Sequence, residues 1–213
     1  MEVFYMDLQS FFKMNYGLYI VTSQADGQRA GCVVNTLSQV TAEPPKLTVA
    51  VSKQNVTTDV IRKAGRFVGA VLGKEADMPL IGRFGFRSSR DLDKFDGISY
   101  AEDEAGIPYP TDHIVARYSC RVVDEVDLGT HVLFVAEVEE AVTLSEEEPM
   151  TYAYYHAVKK GKTPKNAPSY KPEEKKGGWR CTVCGYQKEG SLPAGFKCPL
   201  CGAGVDKFER VQG

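Results

Sequence analysis

Four cysteines near the C-terminal end set the strongest covalent condition on this chain. They stand in Cys181-Thr182-Val183-Cys184-Gly185-Tyr186 and Cys198-Pro199-Leu200-Cys201-Gly202, with 13 residues between the two Cys-x-x-Cys pairs. Each pair can close a tight turn whose backbone amides point at its own sulfurs. Two such turns facing each other place four thiolates in a tetrahedron, which suits iron or zinc. The doubled spacing is a strong metal signal, although the intervening loop is shorter than the usual zinc spacing. Small four-cysteine modules are more often zinc staples than redox centres, so spacing alone leaves the metal open. The long remainder of the chain must supply what the metal serves.

With 213 residues, 43% of them hydrophobic, the chain can pack one large domain beside the small one. A net charge of −2 and a pI near 6.0 give no reason to expect nucleic acid as a partner. No apolar run approaches the ~20 residues needed to cross a bilayer. Met1-Glu2-Val3-Phe4-Tyr5-Met6-Asp7 lacks the basic and apolar regions of a signal peptide, so neither secretion nor membrane insertion is expected. Cys32 and Cys120 stand alone in apolar runs and read as small buried apolar groups. Thiols so distributed suit a reducing cytoplasm. Residues 159–176 carry seven Lys against two Glu. That run reads as a solvated tether, with recognition of phosphates or an acidic partner as the alternative.

The rest of the pattern is largely β. Leu18 to Thr22 and Gly31 to Val34 flank Asp26-Gly27, a hairpin signal. Leu37 to Val40 and Lys46 to Ser52 are strands split by Glu43-Pro44-Pro45. Thr57 to Ala64 is a short helix ending at Gly65, and Phe67 to Leu72 is a strand. A further helix is expected over 6–14 after Asp7, and residues 75–97 read as a helix followed by a surface excursion. Ile114 to Val126 and His131 to Val142 are the longest strands, joined near Asp127-Leu128-Gly129, and within them Val115–Val123 and Val132–Val142 alternate as a strand with one buried face should. Many strands and few helices imply an antiparallel barrel. The boundaries expected are a barrel over 1–167, a linker over 168–177 and the metal module over 178–213.

Within the barrel, Asn35-Thr36-Leu37 and Ser52-Lys53-Gln54-Asn55-Val56-Thr57-Thr58 gather small hydroxyl and amide groups. The second stretch opens a helix beside a lysine, a ready anion site. Helix capping by Asn55 or Thr57 is the plainer reading of the same residues. The chain has neither a GxGxxG nor a Walker loop, which argues against a nicotinamide-binding Rossmann domain. His131, at a strand start, either approaches a cofactor or is a hydrogen-bonded structural histidine; His113 is expected to be exposed.

Residues 179–210 resemble rubredoxin, through both Cys-containing knuckles, Asp206, and an aromatic set of Trp179, Tyr186, Phe196 and Phe208. The short inter-knuckle loop is similar to the rubredoxin-like domain of rubrerythrins. The resemblance implies one iron on Cys181, Cys184, Cys198 and Cys201, at a site that also accepts zinc. Residues of about 5–168 resemble the flavin reductase-like FMN-binding split barrels, archaeal ferric reductases among them. The motifs that carry it are Gly17-Leu18-Tyr19-Ile20-Val21-Thr22-Ser23, Asn35-Thr36, Pro44-Pro45, Ser52-Lys53, Asn55, Ile81-Gly82-Arg83-Phe84-Gly85-Phe86-Arg87-Ser88, Gly129-Thr130-His131, and Tyr155-His156 through Pro164.

Together the two parts are similar to the high-molecular-weight rubredoxins of anaerobes. That resemblance implies FMN in a barrel groove at a homodimer interface. It is held by Asn35, Thr36, Leu37, Ser52, Lys53, Asn55, Thr57 and Thr58, with Arg87 and Lys162 adding charge. It further implies electrons passing from NAD(P)H through FMN to the iron, by cofactor chemistry without a side-chain acid or base. The partner implied is a flavodiiron protein that removes oxygen or nitric oxide. Two other readings stand beside it: a ferric-chelate or free-flavin reductase with an ancillary module, and a flavin-binding protein with a zinc ribbon.

Overall fold

The computed structural model describes residues 7–159, 161–162 and 178–211. Strands β1 (Tyr19–Ala25) and β2 (Gln28–Val34) form the expected hairpin. Its turn residues Asp26 and Gly27 both have positive φ, 51° and 74°, as a two-residue type I′ turn demands. Then follow β3 (Ser38–Ala42), β4 (Pro45–Ser52), helix α1 (Val56–Ala64) and β5 (Arg66–Leu72). Helix α2 (Met78–Phe86), a ribbon of β6 (Tyr100–Glu102) and β7 (Pro108–Pro110), and the long hairpin β8 (Ile114–Asp127) and β9 (His131–Thr143) come next. Helix α3 (Tyr152–Ala157) ends this part. The C-terminal module contains β10 (Gly178–Cys181), β11 (Gln187–Lys188) and β12 (Phe208–Val211), paired in the order β11-β10-β12.

The large sheet is antiparallel throughout, in the order β2-β1-β5-β8-β9-β4-β3. Its two edge regions share one core: Cys32 and Val34 of β2 pack in the same cluster as Leu47 and Val49 of β4, with Phe67 and Phe134 between them. The sheet therefore curls into a barrel, and Leu37, in the link between β2 and β3, packs into the same core. Alternation places Tyr19 and Val21 inside, while Ile20 points out onto a second cluster with Leu80, Ile81 and Phe84 of α2. That outer cluster is why α2 lies where it does: its apolar residues cover the outer face of β1 and β5.

Three expectations are modified. The stretch after α2 is no mere surface excursion, because Phe95 and Lys94 return to the interior at 1% and 2% exposure. Asp7 is followed by a 3-10 helix, Leu8–Lys13, and α3 was not anticipated. In α3 the Thr151 side chain accepts from the Tyr154 N–H, an N-cap that was legible only locally. Expected linker residues 168–177 fall outside the described residues.

Candidate metal centre and cofactor cleft

Each knuckle is a tight turn closed by its own backbone. The Gly185 N–H donates to the Cys181 carbonyl at 2.9 Å and the Gly202 N–H to Cys198 at 2.8 Å. The return bonds, Cys181 N–H to Tyr186 and Cys198 N–H to Ala203, are both 2.8 Å. Gly185 and Gly202 take φ of 79° and 70°, the left-handed turn that a side chain would strain. The result is four buried sulfurs within 4.8 Å of one another, with Cys181–Cys201 at 3.7 Å and Cys184–Cys198 at 3.4 Å. Metal–sulfur bonds of about 2.3 Å give a tetrahedron edge of about 3.8 Å, so the cage fits one ion.

Electrostatics support the same conclusion. Four buried sulfurs this close resist ionising together, because each thiolate raises the cost of the next. A cation binding all four as thiolates removes that conflict. Backbone N–H groups of Tyr186, Leu200, Cys201 and Ala203 point at the sulfurs and would tune a redox potential there. Trp179, Tyr186, Phe196 and Phe208 pack around the cluster, Phe196 and Phe208 edge to face at 5.5 Å.

The metal module sits against the barrel. The Arg87 guanidinium, at the end of α2, donates twice to the Cys201 carbonyl, at 3.1 and 2.7 Å. Lys162 Nζ donates to the Gly185 carbonyl at 3.2 Å. Lys162 is aimed by α3: the Tyr155 hydroxyl donates to its carbonyl at 2.9 Å, and Gly161 passes so near the Tyr155 ring that no side chain fits.

Between module and barrel lies a cleft of about 1280 Å³. The first knuckle, Cys181 to Gly185, lines it together with Asn55, Thr57 and Arg87. Arg87, Arg90, Lys162 and Arg180 line it, Lys94 touches it with its ammonium turned inward onto the Gly31 and Phe84 carbonyls, and no Asp or Glu among the described residues lines it. In a chain whose net charge is −2, that concentration of cations fits a phosphate-bearing ligand. The N-terminus of α1 faces the same space. Asn55 occupies the N-cap position without a side-chain capping bond, so capping does not account for it. A smaller recess of about 110 Å³ shares Asn55, Arg87 and Lys162 and adds Asn35, Thr36, Ser52 and His131.

A flavin reductase like domain matches residues 11–161, and a rubrerythrin, rubredoxin-like domain matches residues 179–209. The chain belongs to the flavin reductase-like family. Its cofactors follow from the two domains and the cysteine cage: a flavin for the first, and one iron on the four cysteines of the second. The whole chain is 39% identical to a high molecular weight rubredoxin from Moorella thermoacetica, over 97% of this chain and 100% of that one. The barrel part is 46% identical to a ferric-chelate reductase (NAD(P)H) from Archaeoglobus fulgidus, over 78% of this chain and 98% of that one. Among solved structures, a nitrilotriacetate monooxygenase component B homologue from Mycobacterium thermoresistibile is similar at a TM-score of 0.59 and 25% identity. The likeness covers 67% of this chain and 81% of that one.

The structure brings Asn35, Thr36, Ser52, Asn55, Thr57, Arg87 and Lys162 to the cleft or its recess. Three other residues named from the sequence point elsewhere. Lys53 Nζ ion-pairs with Asp127 at 2.6 Å, Leu37 is in the barrel core, and the Thr58 hydroxyl donates to the Ser52 carbonyl at 2.7 Å. His131 lines the recess, and its Nδ1 is 2.9 Å from the Thr130 hydroxyl, the hydrogen bond of a structural histidine. Partial burial draws its pKa down. Arg90, Lys94, Arg180 and Tyr152 were missed, since nothing in their local sequence distinguishes them from surface residues.

Proposed function

We propose that the chain is an electron-transfer oxidoreductase that takes electrons from NAD(P)H at FMN in the cleft and exports them through the iron module. The observation that carries this reading is shared lining: one metal knuckle and the phosphate-fitting cations face the same space. A flavin held there by the cleft's hydroxyl, amide and cationic side chains would supply the conversion between two-electron hydride chemistry and the single electrons that a one-iron centre takes.

In this reading the α1 N-terminus, Asn55, Thr57, Arg87 and Lys162 neutralise and orient the phosphate, because backbone amides and cations converge there. Asn35, Thr36 and Ser52 bind the ring edge, and Tyr152 and Phe86 shield it from water. The partner is a redox protein that accepts single electrons, and the resemblance to high-molecular-weight rubredoxins favours a flavodiiron protein reducing oxygen or nitric oxide. Exposed Val40, Val126 and Leu128, at 51%, 45% and 53%, support a homodimer that would bury them. Reduced, buried Cys32 and Cys120 support a cytoplasmic location; no helix among the described residues is long and apolar enough to cross a membrane. A second reading, direct reduction of ferric chelates, draws on the name of the Archaeoglobus relative.

Anaerobic stopped-flow mixing with NADH and with NADPH, following flavin and ferric-thiolate absorption together, tests the reading. Flavin bleaching followed by iron bleaching is expected. A colourless, zinc-loaded protein, or iron that stays ferric while flavin turns over, sinks it.

A further inference from the structure

Helix α2 reads Met78-Pro79-Leu80-Ile81-Gly82-Arg83-Phe84-Gly85-Phe86, and the atoms nearest a Cβ built on its central glycine belong to the metal module rather than to the barrel. Gly82 has no positive φ, so no backbone strain calls for it, and glycine is the poorest helix former after proline. What calls for it is the metal module. A Cβ at Gly82 would collide with the Leu200 carbonyl oxygen, and would lie 3.0 Å from its carbonyl carbon and 3.4 Å from the Cys201 Cα. These are backbone atoms of the second knuckle, which cannot swing aside as a flexible side chain could.

The residues one turn to either side face the same way. Met78, Gly82 and Phe86 stand at i, i+4 and i+8, which forms one stripe along a helix. Met78 and Phe86 both pack against the buried cysteine cluster. On the opposite face Leu80, Ile81 and Phe84 hold α2 to the barrel. The helix is thus two-sided, and its outer stripe is a notch between two apolar side chains, filled by a knuckle backbone. Arg87 closes the C-terminal end of the notch on the Cys201 carbonyl, and Lys162 holds the other knuckle through Gly185.

We propose that this stripe is a specific docking receptor, keyed by Gly82, that seats the metal module in its electron-receiving position over the cleft. The proposal rests on the function given above for what the docked position does, but the docking stands on geometry alone. Gly82 does not line the cleft or its recess. It can therefore be changed without touching the cofactor-facing residues, unlike Arg87 or Lys162.

The test is the full-length holoprotein carrying Gly82→Ala. Alanine favours the helix, so the barrel should unfold no more easily than the parent and bleach its flavin with NAD(P)H at the parent rate. Iron bleaching, in which each ferric centre takes one electron supplied by the nicotinamide through the flavin, should slow by about tenfold or more, since small misplacements are costly to transfer. Small-angle scattering without nucleotide should show a larger radius of gyration than the parent. Unchanged iron bleaching with unchanged scattering overturns the proposal. Expanded scattering with iron bleaching at the parent rate overturns its claim that the seated position is the electron-receiving one. If the parent itself fails to bleach flavin with either nucleotide, the functional reading fails, and the scattering comparison still decides whether Gly82 seats the module.

Discussion

Lys94 shows how much one side chain can be made to do without a counter-charge. Its Nζ donates to the Gly31 and Phe84 carbonyls at 2.7 and 3.0 Å, at 2% residue exposure. Burial lowers its pKa to about 8 from 10.5. The unfolded chain therefore holds this proton between pH about 8 and 10.5 while the folded chain has lost it. Stability must rise with pH across that window. In Lys94→Met that proton difference disappears, so denaturant unfolding at pH 8 and pH 10 should show a pH slope about one proton smaller than in the parent. An unchanged slope would mean that Lys94 titrates normally. The variant should also be destabilised by roughly 1–3 kcal/mol at neutral pH through the two orphaned carbonyls. None of this was legible in Asp93-Lys94-Phe95, which falls in the stretch that reads as a surface excursion.

At the level of elements, legibility followed the range of the determining interactions. The β1–β2 turn and the end of α1 were readable because one or two residues decide them. Gly65 ends α1 at φ 64°, with its N–H donating to Ile61 at 2.8 Å, and a Cβ there meets only open space. Gly65→Ala should therefore cost about 1 kcal/mol by backbone strain alone, read as a lower urea midpoint with unchanged m-value. A loss of several kcal/mol would point to packing instead. The two knuckles were readable for the same local reason. Docking was not: Met78, Gly82 and Phe86 look like one more apolar helix stripe until the distant Leu200 backbone is laid against them. The cleft was only half legible, since Lys53 has the right neighbours in sequence but turns to Asp127, whereas Arg180 reaches the cleft from across the chain.

Across the whole molecule, the two parts differ in what holds them together. The barrel buries large clusters such as Ile20, Phe67, Phe84 and Phe134. The module's described residues, 178–211, are too few to bury a comparable core, and chains below about 40 residues usually need a metal or disulfides. Its stability is therefore metal-binding energy. Replacing Cys198 and Cys201 with Ala should remove the iron and the red ferric-thiolate bands, and unfold the module. Flavin binding and flavin bleaching by NAD(P)H should survive, as metal analysis and absorption spectra would report. Loss of flavin as well would mean that the barrel depends on the module to hold its cofactor.

The glycine in α2 has a consequence for assembly. The notch it opens is built on the barrel, flanked by Met78 and Phe86, whereas the knuckle that fills it takes its shape from four cysteines gathered around a metal. A chain still waiting for its iron therefore presents a bare apolar strip beside the cleft, and metal loading is what covers it. The unloaded form should be the stickier of the two.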